Sequence, residues 1–324
     1  MFTLQVMHLE RYGYLRTRIG NLADVVVEDV GEDAFVGVSQ PVGLYSMRRV
    51  SERNELTPWH FVRRILPDAD PGLALSTRAP DNSLSQELVS LLQVLPPFPP
   101  TAFGDPGVHT GNVSKLIVGD TFPSDDTDYV PVREGKDISE FFCGPPRKRL
   151  WIHPTLAPDQ YCTIRPYERY ASTRVLLRQT ADRPIACRHI DATYFRNSIL
   201  ACHGLPGVPD EVVVAVLNSD IIRRWYQASV QESSQRAFPQ VKVRSLRRLP
   251  LFPLEHLDHT AGGTSIQERL VRLTRETETQ ARLGRIDLLA FQELESLVCC
   301  LYGLPQELID QVVGDLAAAR AVEK

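Results

Sequence analysis

The clearest periodicity of apolar positions lies near the C-terminus and predicts three helices. Residues Ser265–Glu268 have the spacing of a capping box, in which a serine and a glutamate three residues later satisfy the first amides of a helix. A second apolar stripe, at three- and four-residue steps, runs over 287–302 and stops at a glycine, and Pro305 suits the first turn of a third helix. We therefore predict a helical C-terminal subdomain over residues 262–324.

Residues 1–55 contain one helical pattern and several short β-branched runs. The helical pattern covers Leu4–Ile19, and strand-like runs follow at Asp24–Val30, Phe35–Val38 and Val42–Met47. This is too little chain to bury a core by itself. We therefore interpret it as the last part of a larger α/β sheet.

The middle of the chain divides into an irregular part and a strand-rich part. Residues 56–107 include the proline-rich run Leu95–Pro100, which is typical of a linker because proline fixes φ and removes a backbone donor. Over residues 108–255, short strand-like runs alternate with turns, with one helical pattern at Asp210–Gln227. The predicted fold class is α+β: an incomplete α/β sheet edge, a mainly antiparallel β domain with helices, and a helical C-terminal bundle.

Charge is distributed unevenly along the chain. The formal net charge is −4, but residues 161–250 contain thirteen arginines and one lysine against seven acids, a local net charge of +7. A phosphate-facing surface needs such a basic stretch, and arginine favours bidentate contacts to guanine edges or phosphates. Arginines that merely lie on solvated faces are the alternative explanation.

Motifs for catalysis are absent from the sequence. It contains no glycine-rich dinucleotide or phosphate loop, no GxSxG, no HExxH and no CxxC pair. The run Pro96-Pro97-Phe98 looks like the loop with which some methyltransferases hold a flipped base, but Leu95 precedes it and its side chain accepts no hydrogen bond. We therefore predict no catalytic residue, no metal site and no cofactor in this chain.

Isolated histidines and cysteines favour structural roles. For His189, near Asp191, a hydrogen-bonded loop histidine is favoured over a proton shuttle. Cys299 and Cys300 are neighbours on a predicted helix and cannot easily face one metal, which favours packing in a core. The sequence has no apolar run of about 18 residues and no secretory signal at its start, so we expect a cytoplasmic protein with reduced cysteines.

Several polar turns in and beside the basic region carry side chains suited to nucleic acid. Hydroxyls, amides and cations in such turns can approach phosphates or base edges, where arginine suits guanine and glutamine suits adenine. We predict DNA contacts at Thr110, Asn112, Ser114, Lys115, Lys136, Arg178, Gln179, Arg183, Arg236, Gln240, Lys242 and Arg244.

Seven short motifs follow one another in the order His109–Asn112, Gly135–Ile138, Leu177–Arg183, Tyr194–Ser198, Leu217–Ser219, Ala237–Lys242 and Leu301–Leu304. This ordered set, over roughly residues 105 to 315, resembles the specificity region of adenine-specific DNA methyltransferases and type IIG restriction–modification enzymes with a TaqI-like C-terminal domain. The segment 29–45 also resembles the final hairpin of that family's catalytic domain.

The resemblance implies a role as well as a fold. Residues 1–55 would be the C-terminal remnant of the methyltransferase fold, and residues 108–255 a DNA target-recognition domain. The family's glycine-rich turn for S-adenosylmethionine and its Asn-Pro-Pro-Tyr loop are missing, which implies the C-terminal half of a split or truncated methyltransferase. A separate catalytic subunit would then bind S-adenosylmethionine and methylate a flipped adenine in double-stranded DNA, while this chain selects the site in a restriction–modification or phage-defence system.

Three other functions stay open at this point. The first is a non-methylating DNA-binding defence component, and the second is a protein-interaction scaffold whose arginines are solvated. The third is a stand-alone enzyme with an unrecognised catalytic constellation. Because family motifs often hold the backbone, the side chains that read bases can also lie in the loops between them.

Overall fold

The chain divides into two compact units. The first comprises residues 1–81 and 231–239, and the second comprises residues 82–230 and 240–324. Helices and antiparallel sheets together give the predicted α+β class. The structure, a computed structural model, describes residues 2–3, 19, 23–31, 42–49, 60–63, 82–120, 128–230, 239–261, 263–285 and 287–322.

A four-stranded sheet forms the described part of the first unit. Its strands are β1 (Phe2–Thr3), β2 (Ala23–Gly31), β3 (Val42–Arg49) and β4 (His60–Arg63). They lie in the order β1-β3-β2-β4, with β2 and β3 antiparallel and β4 parallel to β2. The predicted strands at 24–30 and 42–47 are confirmed, whereas the predicted strand at 35–38 and all of the predicted helix except Ile19 lie outside the described residues.

Short strands dominate the first part of the second unit. In chain order they are β5 (Phe103–Gly104), β6 (Val118–Gly119), β7 (Tyr129–Arg133), β8 (Ile138–Ser139), β9 (Phe142–Cys143), β10 (Lys148–Trp151), β11 (Val175–Arg178), β12 (Ala186–Arg188), β13 (Tyr194–Phe195), β14 (Ile199–Cys202), β15 (Thr260–Ala261) and β16 (Thr264–Ser265). One antiparallel sheet has the order β12-β11-β14-β5. A second sheet has the order β13-β7-β10-β6, in which β13 joins parallel to β7.

Helices surround these sheets and form the end of the unit. They are α1 (Asn82–Leu92), α2 (Ser114–Ile117), α3 (Tyr167–Ala171), α4 (Asp210–Asn218), α5 (Asp220–Ser229), α6 (Val243–Leu246), α7 (Ile266–Arg282), α8 (Leu288–Leu301) and α9 (Gln306–Val322). The predicted capping box is present at the start of α7, where the Ser265 hydroxyl accepts from the Glu268 amide at 3.2 Å. The three predicted C-terminal helices are therefore confirmed.

The sheet around β11 is buried on both faces and separates two hydrophobic cores. Because side chains alternate along a strand, Val175 and Leu177 face one core and Leu176 faces the other. Along β14, Leu200 and Ile199 likewise lie on opposite faces. Helices α1, α4, α5, α7, α8 and α9 complete the first core, and the sheet β13-β7-β10-β6 completes the second.

The segment predicted as a linker, 56–107, is folded over much of its length. It contains β4 and α1, and Leu88 of α1 is fully buried in the first core. Phe98 of the proline-rich run is 1% exposed, and its amide donates to the Leu249 carbonyl at 3.0 Å. The linker prediction is therefore wrong for residues 82–107, because the apolar face of α1 and the side chains of Phe98 and Phe103 are buried in the first core.

The helical end, predicted as a subdomain of its own, packs on the strand-rich part. Helix α7 lies against α4, where the Thr274 hydroxyl donates to the Glu211 carbonyl at 3.2 Å. Phe141, between β8 and β9, has φ of 60° and places its ring edge-on against Phe291, with 5.8 Å between ring centroids. The two regions therefore share one core.

The helical pattern at Asp210–Gln227 proves to be two helices that meet at Ser219. Ser219 has φ of −68° and ψ of 152°, and its hydroxyl caps the first turn of α5. The fully buried Glu295 carboxylate caps the same turn by accepting from the Asp220 and Ile221 amides at 2.8 and 3.2 Å. The prediction of one helix is wrong because apolar residues continue at helical steps across the break.

Glu295 should make the stability of the fold depend on pH. Burial, together with the charge of Asp220, raises the pKa of the Glu295 carboxyl from 4.5 to about 8. The folded state therefore holds this proton more tightly than the unfolded state, so the free energy of unfolding falls as the pH rises between these two values. We expect the Glu295→Gln variant to lose less free energy of unfolding over this pH range than the wild type, as measured by urea unfolding at several pH values. The control variant Glu307→Gln, at an exposed position, should show the wild-type pH dependence. Equal pH dependence in wild type and Glu295→Gln would contradict the prediction.

Candidate nucleic-acid interface

Ion pairs account for much of the positive charge in the stretch 161–250. Acids outside the stretch supply several of the partners, so a count along the sequence misses them. As a surface, the stretch is therefore less basic than its composition indicates. The pairs are Arg174–Asp210, Arg183–Glu140, Arg188 with Glu211 and Glu278, Arg196–Glu134, Arg223–Asp220, and Arg224 with Asp220 and Asp315.

Arg133, at the end of β7, is a buried arginine near the predicted site, and it pairs with the more exposed Asp191. Its two terminal nitrogens donate to the Asp191 oxygens at 2.6 and 2.5 Å, and its Nε donates to the Gly144 carbonyl at 2.8 Å. Hydrogen bonds from Arg133 lower the pKa of Asp191 to about 2. Sequence reasoning missed Arg133, because an arginine at the end of an alternating strand looks solvated.

His189 has the structural role that the sequence predicts. Its ring nitrogens lie 3.1 and 3.0 Å from the carbonyl oxygens of Thr173 and Thr193, and burial lowers its pKa. Ala192, in the same turn, has φ of 52°, in the left-handed region. The turn between β12 and β13 is therefore held by this histidine and by Asp191.

The loop that begins at His109 packs on the segment around Tyr161. His109 and Thr163 exchange backbone hydrogen bonds of 3.0 and 2.7 Å. The Asn112 side chain donates to the Asp159 carbonyl at 2.9 Å and accepts from the Tyr161 amide at 3.0 Å. The exposed Asn112 amide is thus engaged within the protein, and this loop is fixed rather than open.

Four further motifs meet, mostly through backbone contacts. The Gly135 amide donates to the Ser198 hydroxyl at 2.9 Å, and a Cβ at Gly135 would lie 2.7 Å from the Ser198 carbonyl oxygen. The Gln179 amide donates to the Ser198 carbonyl at 3.0 Å, and the Gln179 carbonyl accepts from Val241 at 2.8 Å. Thr180 pairs with Gln240 in the same place.

Arg196 connects these motifs with the loop before α2. Its Nη1 donates to Glu134, and its Nη2 lies 3.3 Å from both the Thr110 and Ser114 hydroxyls. A continuous line of contacts therefore runs from Ser114 through Arg196, Glu134, Gly135, Ser198 and Gln179 to Gln240. We call this line the motif edge.

Of the predicted contact residues, Ser114, Gln179 and Gln240 belong to the motif edge, and Thr110, Lys115, Lys136 and Arg178 adjoin it by contact or in sequence. Thr110 is buried, and its hydroxyl accepts from Arg196. Arg183 binds Glu140 and Asp182 at 3.0 and 3.1 Å. Thr110 and Arg183 therefore form contacts within the protein. Arg236 lies outside the described residues. Among the others, Ser114, Arg178, Gln179 and Lys242 are half-buried, and Asn112, Lys115, Lys136, Gln240 and Arg244 are exposed.

Two further cations follow the Ala237–Lys242 motif in the chain and were missed by sequence reasoning. Arg247 and Arg248 follow α6 and are exposed, and Arg247 donates to the Phe103 carbonyl at 2.9 Å. Within the described residues, neither forms a salt bridge. The sequence does contain a signal for these two arginines, because residues 233–254 contain five basic residues and no acid.

A comparison with protein families identifies the region that carries the motif edge. Residues 130–251 match the TaqI-like C-terminal specificity domain. This confirms the resemblance that the ordered motifs indicated. The specificity domain contains both ends of the contacts at Ser198 and Gln179, and it also contains the cations of the α6 region.

Solved structures of restriction–modification proteins also match the chain, at low identity. They are the type IIL enzyme MmeI in complex with DNA (10% identity, 98% of this chain and 49% of that chain, TM-score 0.45), a type I restriction–modification system (15%, 72% and 53%, 0.28) and the HsdS subunit from Thermoanaerobacter tengcongensis (15%, 72% and 52%, 0.23). The match thus spans about half the length of each of these solved chains. No protein with a curated description matches its sequence.

Two negative findings apply to the part of the chain that the structure describes. No helix there is long and apolar enough to cross a membrane. No group of three or more histidine, cysteine, aspartate or glutamate side chains there is arranged to hold a metal ion.

Gly107 should tolerate no side chain, because a Cβ there would lie 2.7 Å from the Arg196 carbonyl and the Asn197 amide nitrogen. We expect Gly107→Ala to lower the free energy of unfolding by about 2 kcal/mol, as overpacking does. Gly314→Ala is the matched control, since nothing lies within 4 Å of its Cβ position in α9. That change should stabilise by about 0.5–1 kcal/mol. Urea unfolding measures both, and an equal effect of the two changes would contradict the prediction.

Asp191→Asn should weaken the turn between β12 and β13, because it leaves the buried Arg133 without its counter-charge. We expect a loss of about 1–2 kcal/mol in urea unfolding at neutral pH, since Asp191 itself is partly exposed. Because its pKa is lowered, the wild-type contribution is present above the ordinary pKa near 3.8 and is lost as the pH falls toward 2. Asp159→Asn, at an exposed position, is the control. A variant as stable as wild type at neutral pH would show that the pair contributes nothing.

Proposed function

We propose that this chain is the DNA sequence-recognition part of an adenine-specific DNA methyltransferase in a restriction–modification system. The observation that supports this is the match of residues 130–251 to a specificity domain, over the region in which the predicted motifs meet. The exposed cations of that region suit phosphates, and its glutamines suit base edges. The target would be double-stranded DNA.

Two kinds of contact with DNA, to phosphates and to base edges, would form along the motif edge. Lys115, Lys136, Arg244 and Arg248 are exposed cations that would bind phosphates and set the register of the protein on the duplex. Gln240, which is exposed and pairs through its backbone with Thr180, would reach a base edge. Phosphate contacts supply affinity, and base contacts supply specificity.

Methyl transfer would require a partner that binds S-adenosylmethionine. The residues of this chain do not fit the catalytic loop of the family, because Leu95 precedes the two prolines and Phe98 is 1% exposed and cannot stack on a base. We propose that a separate catalytic subunit supplies this chemistry and docks on the sheet of β1 to β4. A phage-defence role and a cytoplasmic location belong to the same proposal.

The alternative of an interaction scaffold gains support from one observation. Six arginines of the basic stretch bind carboxylates within the protein, which is what structural arginines do. A scaffold would not bind duplex DNA in a salt-dependent way, so the two functions differ in a measurable property.

Duplex binding by the full chain should weaken steeply with salt, and each lost phosphate contact should reduce the slope of log affinity against log salt by about 0.9. We expect Arg248→Gln and Lys115→Gln each to lower the slope by this amount. Arg282→Gln, at an exposed position in α7 that is not part of the motif edge, should leave it unchanged. Fluorescence anisotropy with a duplex across a salt series measures the slopes. Salt-independent or absent binding would favour the scaffold.

The purified chain, given S-adenosylmethionine and duplex DNA, should produce no N6-methyladenine, because the methyl donor and the adenine would be held by the partner. Adding the methyltransferase subunit that copurifies from the native host should start methylation. Mass spectrometry of digested DNA detects the product. Methylation by the isolated chain would refute the separate catalytic subunit, and a host complex without any methyltransferase would favour the non-methylating defence component.

A further inference from the structure

The Arg196 guanidinium connects two loops of the motif edge. Through Nη1 it holds Glu134, which follows β7, and through Nη2 it holds Thr110 and Ser114 at 3.3 Å. Its backbone is fixed as well, since its amide donates to the Arg133 carbonyl at 2.9 Å. One side chain therefore binds both loops, in addition to the backbone hydrogen bonds that join Val108 to Phe195 and Asn197.

Each of these loops presents an exposed cation. Lys115 directly follows Ser114, and the Lys136 ammonium lies 3.2 Å from Glu134 with its side chain 52% exposed. The position of either cation thus depends on a residue that Arg196 binds. A shift of one loop against the other would change the spacing of both charges along a DNA backbone.

Arg196 itself is poorly placed to bind DNA. Its side chain is 21% exposed, and Glu134 neutralises its charge. Burial alone would raise the pKa of Glu134, but hydrogen bonds from Arg196 and Lys136 lower it, so that the carboxylate stays ionised. The Arg196 Nε is buried, and it has no hydrogen-bond partner among the described residues.

We propose that Arg196 is a positioning residue for sequence-specific DNA binding, which holds the loops of Lys115 and Lys136 in one arrangement without touching the DNA. The proposal rests on the DNA recognition proposed above and adds the residue on which its geometry depends. A guanidinium suits this role, because its two terminal nitrogens reach a carboxylate on one loop and two hydroxyls on the other, whereas the three donors of an ammonium all leave from one nitrogen.

The test uses the full chain, with its catalytic subunit where one copurifies, and a library of duplexes with a random central segment. Sequencing of the bound fraction gives the enrichment of the preferred sequence, and anisotropy with the unselected library gives the salt slope. The variants are Arg196→Gln and the double change Thr110→Val with Ser114→Ala, which removes only the two hydroxyls. Arg282→Gln is the control.

If Arg196 is a positioning residue, the Arg196 variant and the hydroxyl variant should each enrich the preferred sequence about tenfold less, or less still, than the wild type. The loss of one well-placed contact has an effect of this size. The salt slope of both should stay at the wild-type value, since no phosphate contact is removed. The Arg282 variant should match wild type in both measurements. If Arg196→Gln is unfolded in thermal denaturation, the hydroxyl variant carries the test alone.

Two other results would overturn the proposal. A fall of about 0.9 in the slope of Arg196→Gln, with normal enrichment by the hydroxyl variant, would make Arg196 a direct phosphate contact. Unchanged enrichment in both variants would make its role purely structural. Neither result refutes DNA recognition, which fails only if the wild-type chain enriches no sequence.

Discussion

Arginine–carboxylate pairs that bridge loops are the interaction on which the strand-rich part of this protein depends. Most of its strands are only two to five residues long, so backbone ladders alone provide few hydrogen bonds between neighbouring segments. Arg133 with Asp191 and Arg196 with Glu134 tie the ends of such strands to turns elsewhere in the chain. Arg133 gives Asp191 two parallel donors, and Arg196 divides its donors between Glu134 and two hydroxyls, which the planar fork of arginine permits.

Arginine–carboxylate pairs also join the strand-rich part to the helical end. Arg188, at the end of β12, binds Glu211 of α4 and Glu278 of α7, so one guanidinium joins a strand to two helices. Phe141, with its left-handed backbone, packs against Phe291 of α8 from the side of β8 and β9. An ion-pair network and a ring contact therefore join the helical end to the strand-rich part.

Much of the candidate site followed from the order of short polar motifs. Those motifs led to the specificity domain, and the structure places Gly135, Ser198 and Gln179 in contact although they are far apart in sequence. The local contacts of the motif residues could not be predicted from the sequence. The Asn112 amide is committed to the segment around Tyr161, and Thr110 serves Arg196, because polar side chains in tight turns satisfy backbone groups first.

Sequence alone determined the helical end, the strands at 24–30 and 42–47, and the absence of a methyltransferase catalytic loop, because periodicity, capping and motif chemistry are local properties. Tertiary structure decided which arginines are paired, since their partners, such as Glu134 and Glu278, lie far away in the chain. It also decided that Phe98 is buried although the prolines beside it are largely exposed, because burial depends on neighbours that no window of sequence contains.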